Sequence, residues 1–151
     1  MQSSVAVVEE SMAAISNIYN TVHPLINQLQ QNSGEARIHT LETLSNLALE
    51  SENQVPMASP ELGLLPVLHA VVSSDSGEAR VKALTTLRFL SIATENQVPM
   101  ASAELGLVAV LKAVVSSDSG EARGEALRAL RNLSSSIFTR MFSSASVIIE
   151  F

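Results

Sequence analysis

At 151 residues the chain is long enough to bury the core of one domain, and a composition 46% hydrophobic and 16% charged excludes disorder as its main state. The net charge of −6 is uneven: residues 1–75 carry eight acids against one base, and residues 76–151 carry seven acids against eight bases. An acidic head and a near-neutral tail argue against nucleic-acid binding, which needs a broad basic face.

Aromatics make up only 3% of the chain and cysteine is absent. The core must therefore come from Leu, Val, Ile and Ala, which suits close-packed helices better than a β-sandwich. Disulfides and thiol chemistry are excluded. No apolar run reaches membrane-spanning length, and the start lacks the basic stretch of a signal peptide. The expectation is a soluble intracellular protein, without membrane insertion and with its compartment open.

From Ser4 to Tyr19, Val5, Val8, Met12, Ile15 and Tyr19 recur at three- and four-residue intervals, which predicts a helix capped by Ser4. Pro24 is expected to break or restart it. Leu25, Ile26 and Leu29 come next as a second short apolar face.

From Ser33 the chain repeats itself. Ser33–Asp75 and Ser76–Asp118 are identical at 29 of 43 positions without a gap, and Gly34, Gly77 and Gly120 mark the period. A fixed period of this length signals a stacked repeat architecture. Identity this high is compatible with recent duplication or with consensus engineering. The domain is read as one unit, 1–151. Residues 1–32 form a degenerate capping repeat, 33–75 and 76–118 the repeat cores, 119–136 a last long helix and 137–151 a cap or tail.

Each repeat has three predicted helices. The first runs over 33–49 and 76–92. Asn32, Asp75 and Asp118 precede it, with Glu35, Glu78 and Glu121 three residues on, which is capping-box spacing. Leu41, Leu44 and Leu47 recur every three residues, as do Leu84, Leu87 and Leu90, then Leu127, Leu130 and Leu133; each set makes a buried stripe. The second covers 53–61 and 96–104. With Asn53 and Asn96 as N-caps, Pro56 and Pro99 fall in the first turn, where a missing N–H costs nothing. Gly63 and Gly106 close this short helix. The third covers 64–73 and 107–116, with Leu65, Leu68, Val71 and Val72 as its apolar face. Strands remain an alternative for the Leu-His-Ala-Val-Val run.

Several of these residues carry a family resemblance. Glu95-Asn96-Gln97 opens the short helix, Glu104-Leu105-Gly106 precedes the next, and Leu44-Ser45-Asn46-Leu47-Ala48 and Leu130-Arg131-Asn132-Leu133-Ser134 close the long ones. Over about residues 20–135 the chain resembles the armadillo repeat, with HEAT repeats as runner-up. It departs from the armadillo pattern by two extra residues per repeat and by the proline in the short helix. The resemblance implies an all-α, right-handed armadillo-like α-solenoid of about three to three and a half repeats, whose long helices line a concave groove for extended peptides.

Helical wheel angles opposite the leucine stripe select the groove residues. They are His39, Glu42 and Asn46; Lys82, Thr85 and Phe89; and Glu125, Arg128 and Asn132. Arg88 and Arg131 flank them. Helices packed about 8–10 Å apart make a ladder of roughly 20 Å, matched by about six extended residues at about 3.3 Å each. Asn offers both donor and acceptor to a peptide backbone. Phe89 is either an apolar anchor or a seam residue. Nuclear-import adaptors of the family carry Trp four residues before the groove Asn. Glu42, Thr85 and Arg128 stand there instead, which disfavours a receptor for basic peptides.

No enzyme is expected. The chain has no nucleophile elbow, phosphate loop or dinucleotide fingerprint, and His23, His39 and His69 are too scattered for a metal motif. No cofactor or metal is called for. The tail holds Phe138, Phe142, Val147, Ile148, Ile149 and Phe151, read as an end cap or a docking segment. The leading functional expectation is a non-catalytic scaffold for a protein or peptide partner. A structural subunit of a larger assembly is the alternative, and a helical-repeat enzyme or lyase-like chaperone a remote third.

Overall fold

The computed structural model describes the backbone of residues 2–149 and the side chains of residues 17–134. Among the described residues the protein is all-helical, with eight helices and no strand. In order they are α1 (Gln2–Gln31), α2 (Gly34–Leu49), α3 (Ser51–Met57), α4 (Leu64–Ser74), α5 (Gly77–Leu90), α6 (Thr94–Met100), α7 (Leu107–Ser117) and α8 (Gly120–Ile149). The run predicted as a strand alternative is helical α4.

The short, medium and long helices α3–α5 are succeeded by α6–α8 with starts 43 residues later in each case. The long helices α2, α5 and α8 lie side by side, α5 between the other two. Leu41, Leu44, Leu84, Leu87 and Leu90 are fully buried, and so are Leu64, Leu68 and Leu107, Leu111 from the medium helices. Met57 and Met100 of the short helices complete the same core. Each such side chain contributes about 1.5–3 kcal/mol on leaving water.

Several local expectations need correction. First, α1 does not break at Pro24 but runs through it. The proline faces water, while Val22, Ile26 and Leu29 on either side of it are buried. Their burial offsets the lost backbone bond.

Second, the capping boxes do not form. Ser33 and Ser76 are the N-caps of α2 and α5, in extended conformation and without a side-chain cap bond. Asp75 and Asp118 close α4 and α7 instead, and their carboxylates take Arg37 and Arg80, each 38 residues earlier in the chain. An ion pair with guanidinium that engages both carboxylate oxygens is stronger than a single bond to an uncharged backbone N–H.

Third, Asn53 and Asn96 are not N-caps. The short helices begin two residues before them, and Pro56 and Pro99 sit in the last turn. The amides cap the preceding long helices: Asn53 Nδ2 donates to Leu47 O, Gln54 Nε2 to Ala48 O, Asn96 Nδ2 to Leu90 O and Gln97 Nε2 to Ser91 O. These carbonyls belong to the last turn of a helix or, for Ser91, to its C-cap, where intrahelical partners run out. The Asn-Gln pair thus fixes the sharp corner between a long helix and the short one after it. Asn96 also donates to Gln54 O, tying the two short helices together.

Gly63 and Gly106 adopt left-handed φ of 75° and 74° and start the medium helices rather than close the short ones. The chain turns between, over 58–63 and 101–106.

In α8 the buried face is Ala122, Ala126, Ala129 and Leu133, while Leu127 is 42% exposed. Leu41 and Leu84 hold the same repeat position and are fully buried. Each is succeeded by a short–medium–long set of helices, and among the described residues none comes after α8. The backbone of α8 also continues as helix through Ser134–Ser136 to Ile149.

Candidate functional site

The nine residues nominated for the groove lie on the three neighbouring long helices. On α2, His39, Glu42 and Asn46 are exposed. On α5, Lys82 and Thr85 are half-buried, and Thr85 Oγ1 bonds to Val81 O of its own helix. Five of the nominated residues come together where α5 meets α8: Arg88, Phe89, Glu125, Arg128 and Asn132.

Glu125 is the centre of that group. Its Oε2 lies 2.7 Å from Arg88 Nε, and its Oε1 lies 3.3 Å from Arg128 Nη1. The Arg88 contact is at ion-pair distance but off the N–H axis, so it is electrostatic rather than a directed hydrogen bond. The Glu125 side chain is only 13% exposed, against 60% for Arg128. Arg88 therefore holds the carboxylate from inside and Arg128 from the water side.

The Arg88 guanidinium also sits 4.7 Å from the centroid of the Phe89 ring, within cation–π range. Phe89 is half-buried against the core. Its ring packs into the seam and part of it stays accessible. Asn132 Nδ2 donates to Ser91 Oγ at 3.0 Å and reaches Arg88 O at 3.4 Å, so it ties α8 to the end of α5. Asn46, its counterpart on α2, is exposed. Arg131 is exposed at the flank. Of the tail candidates, the side chains of Phe138, Phe142, Val147, Ile148 and Ile149 lie outside the described residues, and so does Phe151 altogether.

Two features were not nominated from sequence. One is a pair of arginine clamps. Arg37 in the first turn of α2 donates to Leu29 O of α1 and to both oxygens of Asp75. Arg80 in the first turn of α5 donates to Val72 O of α4 and to Asp118. Each guanidinium joins three helices across a repeat boundary. The recurring Ser-Gly-Glu-Ala-Arg and Ser-Ser-Asp segments carried that signal.

The other is an apolar cavity of about 460 Å³ between the turns at 58–66 and 99–105. Ala58, Pro60, Leu65, Pro66, Pro99 and Leu105 form its walls, and Ser59, Ser102 and Glu104 its polar edge. Its signal was the recurrence of Ser59-Pro60-Glu61 as Ser102-Ala103-Glu104. Among the described residues no cluster of His, Asp and Glu could hold a metal ion, and no helix is long and apolar enough to cross a membrane.

No protein family and no curated protein matches the chain. Among solved structures it is similar to the crystal structure of an engineered protein, a Northeast Structural Genomics Consortium target, at 25% sequence identity and a TM-score of 0.67. The match covers 76% of this chain and 45% of that one, so the matched part spans less than half the length of the engineered protein.

Proposed function

We propose that the protein is an armadillo-like α-solenoid that serves as a non-catalytic scaffold, binding an extended segment or a helix of a partner protein across α2, α5 and α8. The observation that carries this reading is the side-by-side placement of the three long helices, with polar and charged groups at repeat-related positions on each. Spaced donors and acceptors on neighbouring helices suit a peptide backbone, which presents its own donors and acceptors at regular intervals. The Glu125 carboxylate between Arg88 and Arg128 would set charge preference at one end, and Glu42 at the other.

A second reading is favoured by a different observation. Leu49 and Ile92 are 58% and 55% exposed, and Val55 and Val98 are 43% and 48% exposed. Each pair is one repeat apart, so the corners between long and short helices present recurring apolar side chains. These suit a subunit docked along that edge in a larger assembly.

Crosslinked pull-downs from native extract separate the two. They would compare wild type with a face variant, Glu42→Lys/Arg128→Glu, and a corner variant, Leu49→Asp/Ile92→Asp, each first shown to keep wild-type helicity. A partner lost only by the face variant supports the scaffold. One lost only by the corner variant supports the assembly subunit and overturns the scaffold reading.

A further inference from the structure

Tyr19 of α1 shows what fits beside the Ser-x-Glu turn of a repeat. Its hydroxyl donates to Ser59 Oγ at 2.7 Å, and Ser59 in turn donates to Glu61 Oε2 at 2.9 Å. The phenol oxygen lies 3.3 Å from the same carboxylate. The ring is half-buried against the core. A half-buried phenol thus has its one polar atom satisfied by a serine–glutamate pair, as such a group requires.

One repeat later the same pair recurs as Ser102 and Glu104, but no phenol faces it. The position one period after Tyr19 is Leu62, which is buried and has no hydroxyl. The backbone differs too. α1 is a continuous helix, whereas the chain one period later turns at 58–63 between α3 and α4. That turn leaves the cavity of about 460 Å³, with Ser102 and Glu104 on its edge and Leu65, Pro66, Pro99 and Leu105 as walls. The Leu105 N–H points to Ser102 Oγ at 3.4 Å and helps hold it in place.

The geometry points to this cavity as a docking site for the tyrosine side chain of a partner polypeptide. Its size is within the range of small-ligand sites, its walls are apolar and proline-rich, and its polar edge holds a serine and a glutamate at the same sequence positions as the pair that Tyr19 uses. The Glu104 carboxylate selects an unmodified phenol, because a phosphorylated tyrosine would bring a second anion to it. The site is separate from the face of α2, α5 and α8 and stands whether or not that face binds anything.

The test is an amide-resolved NMR titration of the whole chain with N-acetyl-tyrosinamide, with the phenylalanine and phosphotyrosine amides as comparators. The expected result is shifts at Ala58, Ser59, Ser102 and Leu105, and binding of the tyrosine amide about three- to ten-fold tighter than the phenylalanine amide, the worth of one hydrogen bond. Ser102→Ala/Glu104→Met, which leaves no side-chain oxygen at either position, should bring the two to parity. The phosphotyrosine amide should bind the wild type more weakly than either. No binding, equal binding of tyrosine and phenylalanine by the wild type, shifts centred elsewhere, or a preference that survives the double variant would each overturn the proposal. The wild-type comparison and the location of the shifts stand on their own should the variant not fold.

Discussion

Arg80 and Asp118 are 38 residues apart in the chain, and their side chains meet at 2.9 Å. Arg37 and Asp75 make the same contact at 2.7 Å one repeat earlier. Both arginines also cap a carbonyl in the last turn of the helix before their own. Each arginine therefore ties the start of its own helix to the ends of two others. All four side chains are about four-fifths buried, so solvent screens them less than a surface pair.

Arg80→Ala should lower stability more than Asp118→Ala, because it also strands the Val72 carbonyl. We expect about 2–3 kcal/mol against about 1–2 kcal/mol in urea unfolding. A double-mutant cycle should return a coupling of about 1 kcal/mol. Arg123 is the third arginine of the series, exposed and with no ion pair among the described residues, so Arg123→Ala should change stability by less than about 0.5 kcal/mol. A coupling indistinguishable from zero would count against the clamp.

Asn96→Ala should cost about 2–3 kcal/mol, since it removes the buried amide donor from Leu90 O and one of the two donors from Gln54 O, which keeps the Ala58 N–H. Asn53→Ala, at the matching position, loses one bond at a half-buried site and should cost about 1 kcal/mol. Thermal unfolding of the two variants side by side checks the difference. Equal losses would show that the link between short helices carries no weight.

Leu84→Ala should destabilise by about 2–5 kcal/mol through cavity formation. Leu127→Ala removes the same atoms from the same repeat position, yet should cost less than about 1 kcal/mol because the side chain is already 42% exposed. Matching denaturation midpoints for the two would contradict the exposed position of Leu127.

Glu125→Ala leaves Arg88 part-buried without its counter-charge and should cost about 1–3 kcal/mol. Arg128→Ala should cost less than about 0.5 kcal/mol, because Arg128 is mostly solvated. Equilibrium unfolding gives both numbers. If Arg128→Ala proved the more costly, the carboxylate would be held from the water side instead.

Much of this architecture is legible in the sequence. The 43-residue period, the glycines that open each long helix and the leucine spacing locate α2 to α7 and the start of α8 to within a few residues, because each is a local or periodic property of the chain. The period aligns Leu29 with Val72, and the two carbonyls do accept from equivalent arginines, Arg37 and Arg80. Glu125, Arg128 and Asn132 share one helix face by angle, which a regular helix guarantees.

Periodicity does not reveal which partner each polar side chain chooses. Asp75 and Asp118 stand at capping distance from their own glutamates, yet they bind arginines 38 residues away, since a charged partner outcompetes a neutral backbone N–H. Asn53 and Asn96 look like caps for the helix they enter and serve the helix behind them, because the corner brings orphan carbonyls within reach. Pro24 reads as a break and is carried through, because burial on both sides of it outweighs one lost bond. Leu127 repeats Leu84 in sequence but not in environment, because burial depends on the helices that pack over a side chain. Tyr19 and the cavity beside Ser102 belong to the same kind of knowledge. Local spacing dictates the helices and their apolar faces; competition among distant groups for the same donors, acceptors and space dictates everything that joins them.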